Sequence, residues 1–382
     1  MERGVIIIEG HVQGLSNLRS IGEAGIPAWV LDQHNCIARY SKYCSKYIKC
    51  SPYESKEFIS ELMDIGIQYN LKNCLLIPSN DKAVHNLSKH SEQLKPHFIL
   101  FSSEIGVIEN IINKKKLLQI AQSENISIPP THYFDSADDS IPSKITYPFI
   151  IKGCIGQDFY KNIGKKVIVI RNEKELKKAL LHIENSIGLE NSITQSIINR
   201  KKSNTTISFC SIAQNGEVIS YWMGEKLNEH PVRFGTATLA KSAFVEEIIE
   251  PSKRLLEKLN YTGISEIEWL LNEQTDEYNL IEINPRTWLW IELAKACGKD
   301  FVKMMYTEVY KKELCDANSE QYQTDVYWYN PITYYPFKII ALFSGVSVKS
   351  PKGRKVNALF IKGDAKPGWM YLFNLFNIFR RR

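Results

Sequence analysis

The sequence predicts an α/β chain, with a small doubly wound parallel sheet at the N-terminus and a body of antiparallel hairpins and helices behind it. Three observations carry that prediction. A strand, a glycine turn, a helix and a second strand follow one another from Val5 to Asp32. Strand-like and helix-like segments keep alternating to about residue 112. Beyond Thr205 the apolar residues fall into two hairpin patterns, the second pairing Ile264 to Leu271 with Leu280 to Arg286.

At 382 residues the chain has room for two or three domains and a large core. Its net charge of +6 is mild and its basic residues are dispersed. That favours acidic small ligands such as nucleotides over a dedicated nucleic-acid surface. The N-terminal apolar run is too short for a signal peptide, and no run approaches the roughly 20 residues of a membrane span. Eight cysteines are scattered without C-x-x-C pairs. Neither a zinc site nor a disulfide framework is therefore expected, and the expected compartment is a reducing cytoplasm.

Val5 to Ile8 reads as a buried strand, Leu15 to Ala24 as a helix and Ala28 to Leu31 as a second strand. This βαβ order predicts parallel pairing with a right-handed crossover. The turn between them, Gly10-x-x-x-Gly14, lacks the G-x-G-x-x-G spacing of a dinucleotide site, so a structural turn and a ligand site fit it equally. A nicotinamide-dependent oxidoreductase is accordingly a weaker reading of function. A helix near Lys56 to Gln68 leads to the strand Cys74 to Pro78. Ser79-Asn-Asp81 then sits at the carboxyl end, where open α/β sheets bind ligands; Asp81 is preferred as the cap of the next helix. Phe98 to Phe101 is the last strand of this sheet.

The helix from Asn113 to Ala121 ends before Pro129 and Pro130, because proline cannot continue it. A polar loop, Asp135 to Ser143, precedes the strand Tyr147 to Lys152. Gly153, Gly156 and Gly164 then mark a flexible stretch able to close over a ligand. A lysine at a strand end beside such a flap suits phosphate binding, while a solvated strand-end lysine is the competing reading. Val167 to Ile170 is a strand, and a helix runs from Asn172 to about Asn185. Ser192 to Ile198 follows as a strand, with a polar turn at Asn199 to Asn204. Thr205 to Ala213 and Glu217 to Met223 make a hairpin around Asn215-Gly216. Gly224 to Gly235 reads as a loop carrying Lys226 and Arg233. Helices are expected at Ala243 to Leu259, at Trp288 to Cys297 with Gly298 behind it, and at Phe301 to Tyr310. The tail beyond Leu314 is aromatic, irregular and basic at its end. Such a segment suits docking on the protein body or on an anionic membrane surface.

In the second hairpin, Glu282 and Asn284 lie two apart and project to one face. With Glu268 opposite, they offer the hard oxygen ligands that Mg²⁺ takes beside phosphates. Arg286 continues the alternation as a fixed cation. A hairpin with a polar solvent face accounts for the same residues taken alone.

Lys114, Lys152, the Gln195 strand, Glu268 and Glu282-x-Asn284 occur in an order and spacing that resembles the ATP-grasp superfamily. Gly263-Ile-Ser-Glu-Ile-Glu and Ile281-Glu-Ile-Asn-Pro-Arg-Thr-Trp are most similar to its D-aspartate ligase-like branch. The resemblance implies a pre-ATP-grasp domain over 1–112, a small grasp subdomain over 113–190, a second subdomain with the Mg–ATP site over 191–312, and an extension over 313–382. It implies that Lys114 and Lys152 contact ATP phosphates and that Gly153 to Gly164, with Gly156, forms the flap. Gln195, Ser196, Ile197 and Ile198 correspond to the hinge that reads adenine. Lys226, Arg233 and Arg286 correspond to cations serving phosphate transfer or the acyl substrate, and Glu268, Glu282 and Asn284 to metal ligands. Ser196 replaces a common acid, and 199–204 lacks the usual ribose-holding acid, for which Glu190 or a residue after the turn is a candidate substitute. The implied cofactors are ATP and Mg²⁺, with Mn²⁺ as an alternative ion. The implied reaction joins a small carboxylate to an amine through an acyl phosphate, with an amino acid as one candidate substrate, while the aromatic, basic tail points to a cell-envelope or polysaccharide-linked acceptor. A homodimer, and a cytoplasmic enzyme with peripheral contact to the inner membrane face through the tail, fit the resemblance. A catalytically inactive nucleotide-binding scaffold is the alternative.

Overall fold

Five short strands open the chain: β1 (Val5–Ile8), β2 (Ala28–Asp32), β3 (Cys44–Lys49), β4 (Cys74–Pro78) and β5 (Phe98–Leu100). They form a parallel sheet in the order β3-β2-β1-β4-β5. β1 and β2 are almost fully buried, which is why they read as apolar runs. The edge strand β3 was not foreseen. Its Lys46 and Lys49 break the apolar pattern, as suits an edge that must resist pairing with other chains. The strand order reverses between β1 and β4, so the crevice at their carboxyl ends is the place for a ligand.

The computed structural model describes residues 4–134, 141–198, 205–230, 235–311, 322–344 and 348–380. The segment 135–140 of the expected polar loop, the turn 199–204 and Arg233 lie outside them.

The glycine turn after β1 is a packing device. A side chain at Gly14 would meet the Glu9 carbonyl oxygen at 1.9 Å. The Gly10 amide donates to Asp32 at 2.8 Å. The helix begins at Val12 rather than Leu15. After β4, Asn80 is the helix cap, accepting from the Ala83 amide at 2.9 Å. That displaces the expected cap, Asp81, and leaves its carboxylate available for other contacts.

The next layer is a four-stranded sheet in the order β6-β9-β7-β8. Its strands are β6 (Thr131–Tyr133), β7 (Phe149–Gly153), β8 (Val167–Ile170) and β9 (Ser192–Ser196), antiparallel throughout. The glycine-bearing stretch after β7 is not a loose flap. Gly156–Ile163 is a helix ended by Gly164 at φ 75°. Buried Phe159 anchors it by packing on Gly153, where a Cβ would lie 2.3 Å from the Phe159 Cβ.

The largest sheet has seven strands in the order β14-β13-β10-β11-β12-β15-β16. β10 (Thr206–Gln214) and β11 (Glu217–His230) turn through Asn215 and Gly216, both at positive φ. The loop expected from Gly224 is strand as far as His230. β11 is paired on both sides, by β10 and by β12 (Thr236–Ala243). Gly224 also lies under the Trp290 ring, where a Cβ would come within 2.2 Å. The expected helix at Ala243 begins only at Ile249. β13 (Gly263–Asn272) and β14 (Glu277–Asn284) form the foreseen hairpin. The helix expected over Trp288 to Cys297 is confined to Ile291–Ala296, whereas Phe301–Tyr310 is helical throughout.

The C-terminal segment is not irregular. β15 (Val326–Tyr329) and β16 (Arg354–Asn357) extend the large sheet, and helices span Pro331–Ser344 and Lys366–Arg380. One apolar core joins Ile7 and Leu15 of the first sheet and its helix to Trp222, Trp288, Phe301, Trp328 and Leu359. Trp222 stacks on Trp288 at 6.3 Å between ring centroids. No described helix is long and apolar enough to cross a membrane, and the described cysteines are free thiols.

Candidate active site

β13 and β14 set the centre. Their register places Glu268 opposite Glu282 and Glu266 opposite Asn284. Two-residue periodicity then brings all four side chains to one face. That face lines an open cleft between the three sheets, and the foreseen residues gather around it. Lys114, Lys152, Gly153, Gly156, Gln195, Ser196, Ile197 and Ile198 line one side of it, with Lys226, Glu268, Glu282, Asn284 and Arg286 on the floor. Arg233 lies outside the described residues. Glu190 is not part of the cleft; it is exposed and accepts from Asn191 at 2.9 Å.

Two of the floor carboxylates, Glu282 and Glu268, are each held by a lysine from a different element. Lys114 begins the helix Lys114–Ser123, capped by the Asn113 side chain. Its amide donates to the Cys154 carbonyl at 2.8 Å, which ties it to the end of β7. Its ammonium lies 3.0 Å from Glu282. Lys226, on β11, lies 3.0 Å from Glu268. Arg286 pairs with Asp81 at 2.8 Å and donates to the Asn284 side-chain oxygen at 3.2 Å. Among the described residues no three His, Cys, Asp or Glu side chains converge as a ready-made metal cage. The floor is instead a lattice of alternating charge.

The electrostatics follow from crowding. The Lys114 ammonium beside Glu282 holds that carboxyl down to about 2, against the opposing effect of burial. Burial, reinforced by neighbouring Lys114, pushes Lys152 down to about 7. Lys152 is only 7% exposed and makes no salt bridge among the described residues. A buried lysine without a matched carboxylate is costly unless an anion enters to meet it. Burial alone would lower Lys226, but Glu268 and Glu266 outweigh it and hold it above its usual value.

Glu266 was missed by the sequence reading. It is 4% exposed, accepts from Ser208 at 3.0 Å and from the Asn284 amide at 3.1 Å. Burial, with Glu268 beside it, raises its carboxyl to about 7. The signal was present in the alternation Glu266-Ile-Glu268. Gln195 uses its amide to bond Thr131 at 2.9 Å, so its side chain braces β9 against β6. Ser196, Ile197 and Ile198 continue from it along the cleft wall.

This geometry can hold a polyanion flanked by divalent cations. Lysines from three separate elements face two carboxylates that stand opposite each other, and an apolar strand end offers a flat wall.

Residues 113–308 match the family model described as the carbamoyl-phosphate synthase L chain ATP-binding domain, an ATP-grasp domain. Among curated proteins the chain is similar to D-aspartate ligase from Enterococcus faecium, 22% identical over 227 residues, covering 56% of this chain and 53% of that protein. The chain thus spans about half the length of this relative. The fold is similar to a biotin carboxylase–ATP complex from Campylobacter jejuni (TM-score 0.68, 17% identity, 86% of this chain and 74% of that one). It is also similar to an L-amino acid ligase from Bacillus licheniformis (TM-score 0.63, 15% identity, 81% and 74%).

Proposed function

Since the chain belongs to the ATP-grasp family of the carbamoyl-phosphate synthase L chain ATP-binding domain, we propose that it is an ATP-dependent carboxylate–amine ligase. The observation that supports this most directly is the meeting of Lys114, Lys152 and Lys226 around Glu268 and Glu282 in one cleft. The similarity to D-aspartate ligase points the same way and favours an amino acid as one substrate.

In this reading ATP lies along the cleft with its base on the wall of Gln195 to Ile198 and its phosphates among the lysines. Glu268, Glu282 and Asn284 suit Mg²⁺, or Mn²⁺ in its place, because they present hard oxygens within reach of phosphate. Lys114 and Lys226 now neutralise those carboxylates. On loading they would swing to phosphate oxygens, a rearrangement that leaves the net charge of the floor balanced. The metal would supply charge neutralisation across the phosphates during transfer.

The chemistry follows from the poor electrophilicity of a carboxylate. A substrate carboxylate oxygen attacks the γ-phosphorus, the bond to the ADP oxygen breaks, and an acyl phosphate results. The amine nitrogen then attacks the acyl carbon, phosphate leaves with the C–O bond electrons, and the amine proton departs to yield an amide. The protein contributes alignment and fixed charge. Arg286, tethered by Asp81, keeps one cation at the end of the metal strand. Arg233 belongs to the same proposed set of cations, and Gly153 and Gly156 to the cover over the phosphates.

The test is ADP release from Mg–ATP with amino acids and amines as paired substrates, with products read by mass spectrometry. Glu282→Gln is expected to lower turnover by roughly 10²–10³-fold while keeping the parent fold by circular dichroism. Turnover at the parental rate would remove Glu282 from the metal assignment.

A further inference from the structure

Resting on the ligase reading above, we propose that Glu9 holds a primary ammonium group of a substrate, forming an amine subsite on the N-terminal wall of the cleft. Glu9 follows β1 where the strand order of the first sheet reverses. Its φ is 73°, the left-handed region that an L-residue adopts at a cost. The conformation is fixed from both sides. The Glu9 amide donates to the Leu31 carbonyl at 2.8 Å, and its carbonyl sits against Gly14, where any side chain would collide. Here the turn presents a half-buried carboxylate to the same cleft that the lysines and floor carboxylates line from the other side.

The charges around Glu9 do not close among themselves. Asp32 and Asp81 lie near enough to disfavour its ionised form, and Arg286 favours it. Arg286 is already committed to Asp81 at 2.8 Å. Asp32 is satisfied by the Gly10 and His34 amides, both at 2.8 Å. Glu9 itself makes no salt bridge among the described residues, with the Asn80 side chain as its close polar neighbour. Burial and the two acids push its carboxyl up to about 7, the Asn80 amide and Arg286 working against that rise. An incoming ammonium would return the group to its charged form and pair with it. A carboxylate or phosphate on this wall would be repelled. The cleft thus has a cationic side for phosphates and an anionic side for a cation, joined through the Arg286–Asp81 pair.

The ammonium has two possible sources, the amino group of the amino acid being activated or the acceptor amine, and the experiment separates them. The full chain is titrated by thermal shift, in the presence of AMP-PNP and Mg²⁺, with D- and L-amino acids and small amines, each beside its N-acetyl form. At least one free amine is expected to stabilise the wild type where its acetylated form does not. Glu9→Gln should weaken that amine about 10–100-fold with AMP-PNP affinity unchanged, and Glu9→Asp should lose less. A Glu9→Gln protein that keeps the preference overturns the subsite, as does a wild type that binds AMP-PNP without distinguishing the two forms. A wild type that fails to bind AMP-PNP overturns the ligase reading, and the subsite with it. In turnover, hydroxylamine replaces the acceptor. A higher KM for the carboxylate substrate in Glu9→Gln assigns the ammonium to the activated amino acid. A KM rise confined to the native acceptor assigns it to the nucleophile. A rise in neither overturns the subsite.

Discussion

Lys152 shows how a single residue stores the requirement for a ligand. Its folded pKa of about 7 lies below the ordinary 10.5, so the unfolded chain binds that proton more tightly. The resulting cost to the native state is present in full below pH 7 and fades as pH rises toward 10.5. Lys152→Met removes a buried charge while nearly preserving side-chain volume. It is therefore expected to stabilise the ligand-free chain at pH 6 by roughly 1–4 kcal/mol, with the gain lost near pH 10. ATP binding should fall sharply in the same variant. Urea melts at the two pH values, beside a nucleotide titration, check both halves; a variant less stable than its parent at pH 6 would contradict the unmatched charge. The residues that gather in the cleft were legible in sequence to the extent that chemistry shows in alternation. Glu268, Glu282 and Asn284 stood out because carboxylate and amide recur every second residue in an apolar strand. Asp81 was preferred as the cap that Asn80 provides, since both are good caps and only the turn geometry chooses between them. Glu9 carried no signal, because a left-handed glutamate is invisible until the backbone is known.

At the scale of elements, legibility tracked how local the cause was. The β13–β14 hairpin and the helix Lys56–Gln68 are dictated by their own apolar periodicity. The second half of β11 and all of β12 are polar or small-residue segments held extended by partners distant in sequence, so local reading made the former a loop and gave Thr236 to Ser242 no assignment. The flap is a third case. Its glycines suggested looseness, yet Gly153 is there to admit Phe159, and the helix Gly156–Ile163 rests on that contact. Gly153→Ala would set a Cβ 2.3 Å from the Phe159 Cβ and 2.9 Å from the Ile155 carbonyl, neither of which is a flexible side-chain end. Overpacking of this kind costs roughly 1–3 kcal/mol and must displace the helix. Calorimetry should show a lower Tm, and KM for ATP should rise about tenfold, as expected when a positioning element shifts. A lower Tm with unchanged KM would mean that the helix does not cover the nucleotide.

On the scale of the whole molecule, the C-terminal segment was the least legible part, and it is hydrogen-bonded to a helix that also reaches the end of β14. Arg19 is fully buried on the helix Val12–Glu23. It donates to Asp364 at 2.9 Å and to the carbonyls of Ala358, Leu359 and Asp364 at 3.2, 2.9 and 2.7 Å. Asp364 in turn accepts from Ser41 at 2.8 Å and the Lys42 amide at 2.9 Å. No sequence pattern announces a bridge across more than 300 residues. The same helix carries Asn17, which bonds Thr287 at 2.9 Å beside Arg286. A path of hydrogen-bonded side chains therefore runs from the C-terminal segment through one helix to the end of β14. Asp364→Ala strands a buried guanidinium, which costs roughly 3–5 kcal/mol. If the segment is an integral part of the fold, as β15 and β16 in the large sheet suggest, unfolding should stay a single transition at lower denaturant. AMP-PNP affinity should fall with it, because the Thr287–Arg286 corner loses its support. An appendage would behave otherwise: a separate early transition, or no loss at all, with nucleotide affinity untouched. Denaturation followed by both tryptophan fluorescence and far-UV circular dichroism distinguishes the two, since Trp222, Trp288 and Trp328 lie in the core that spans both regions.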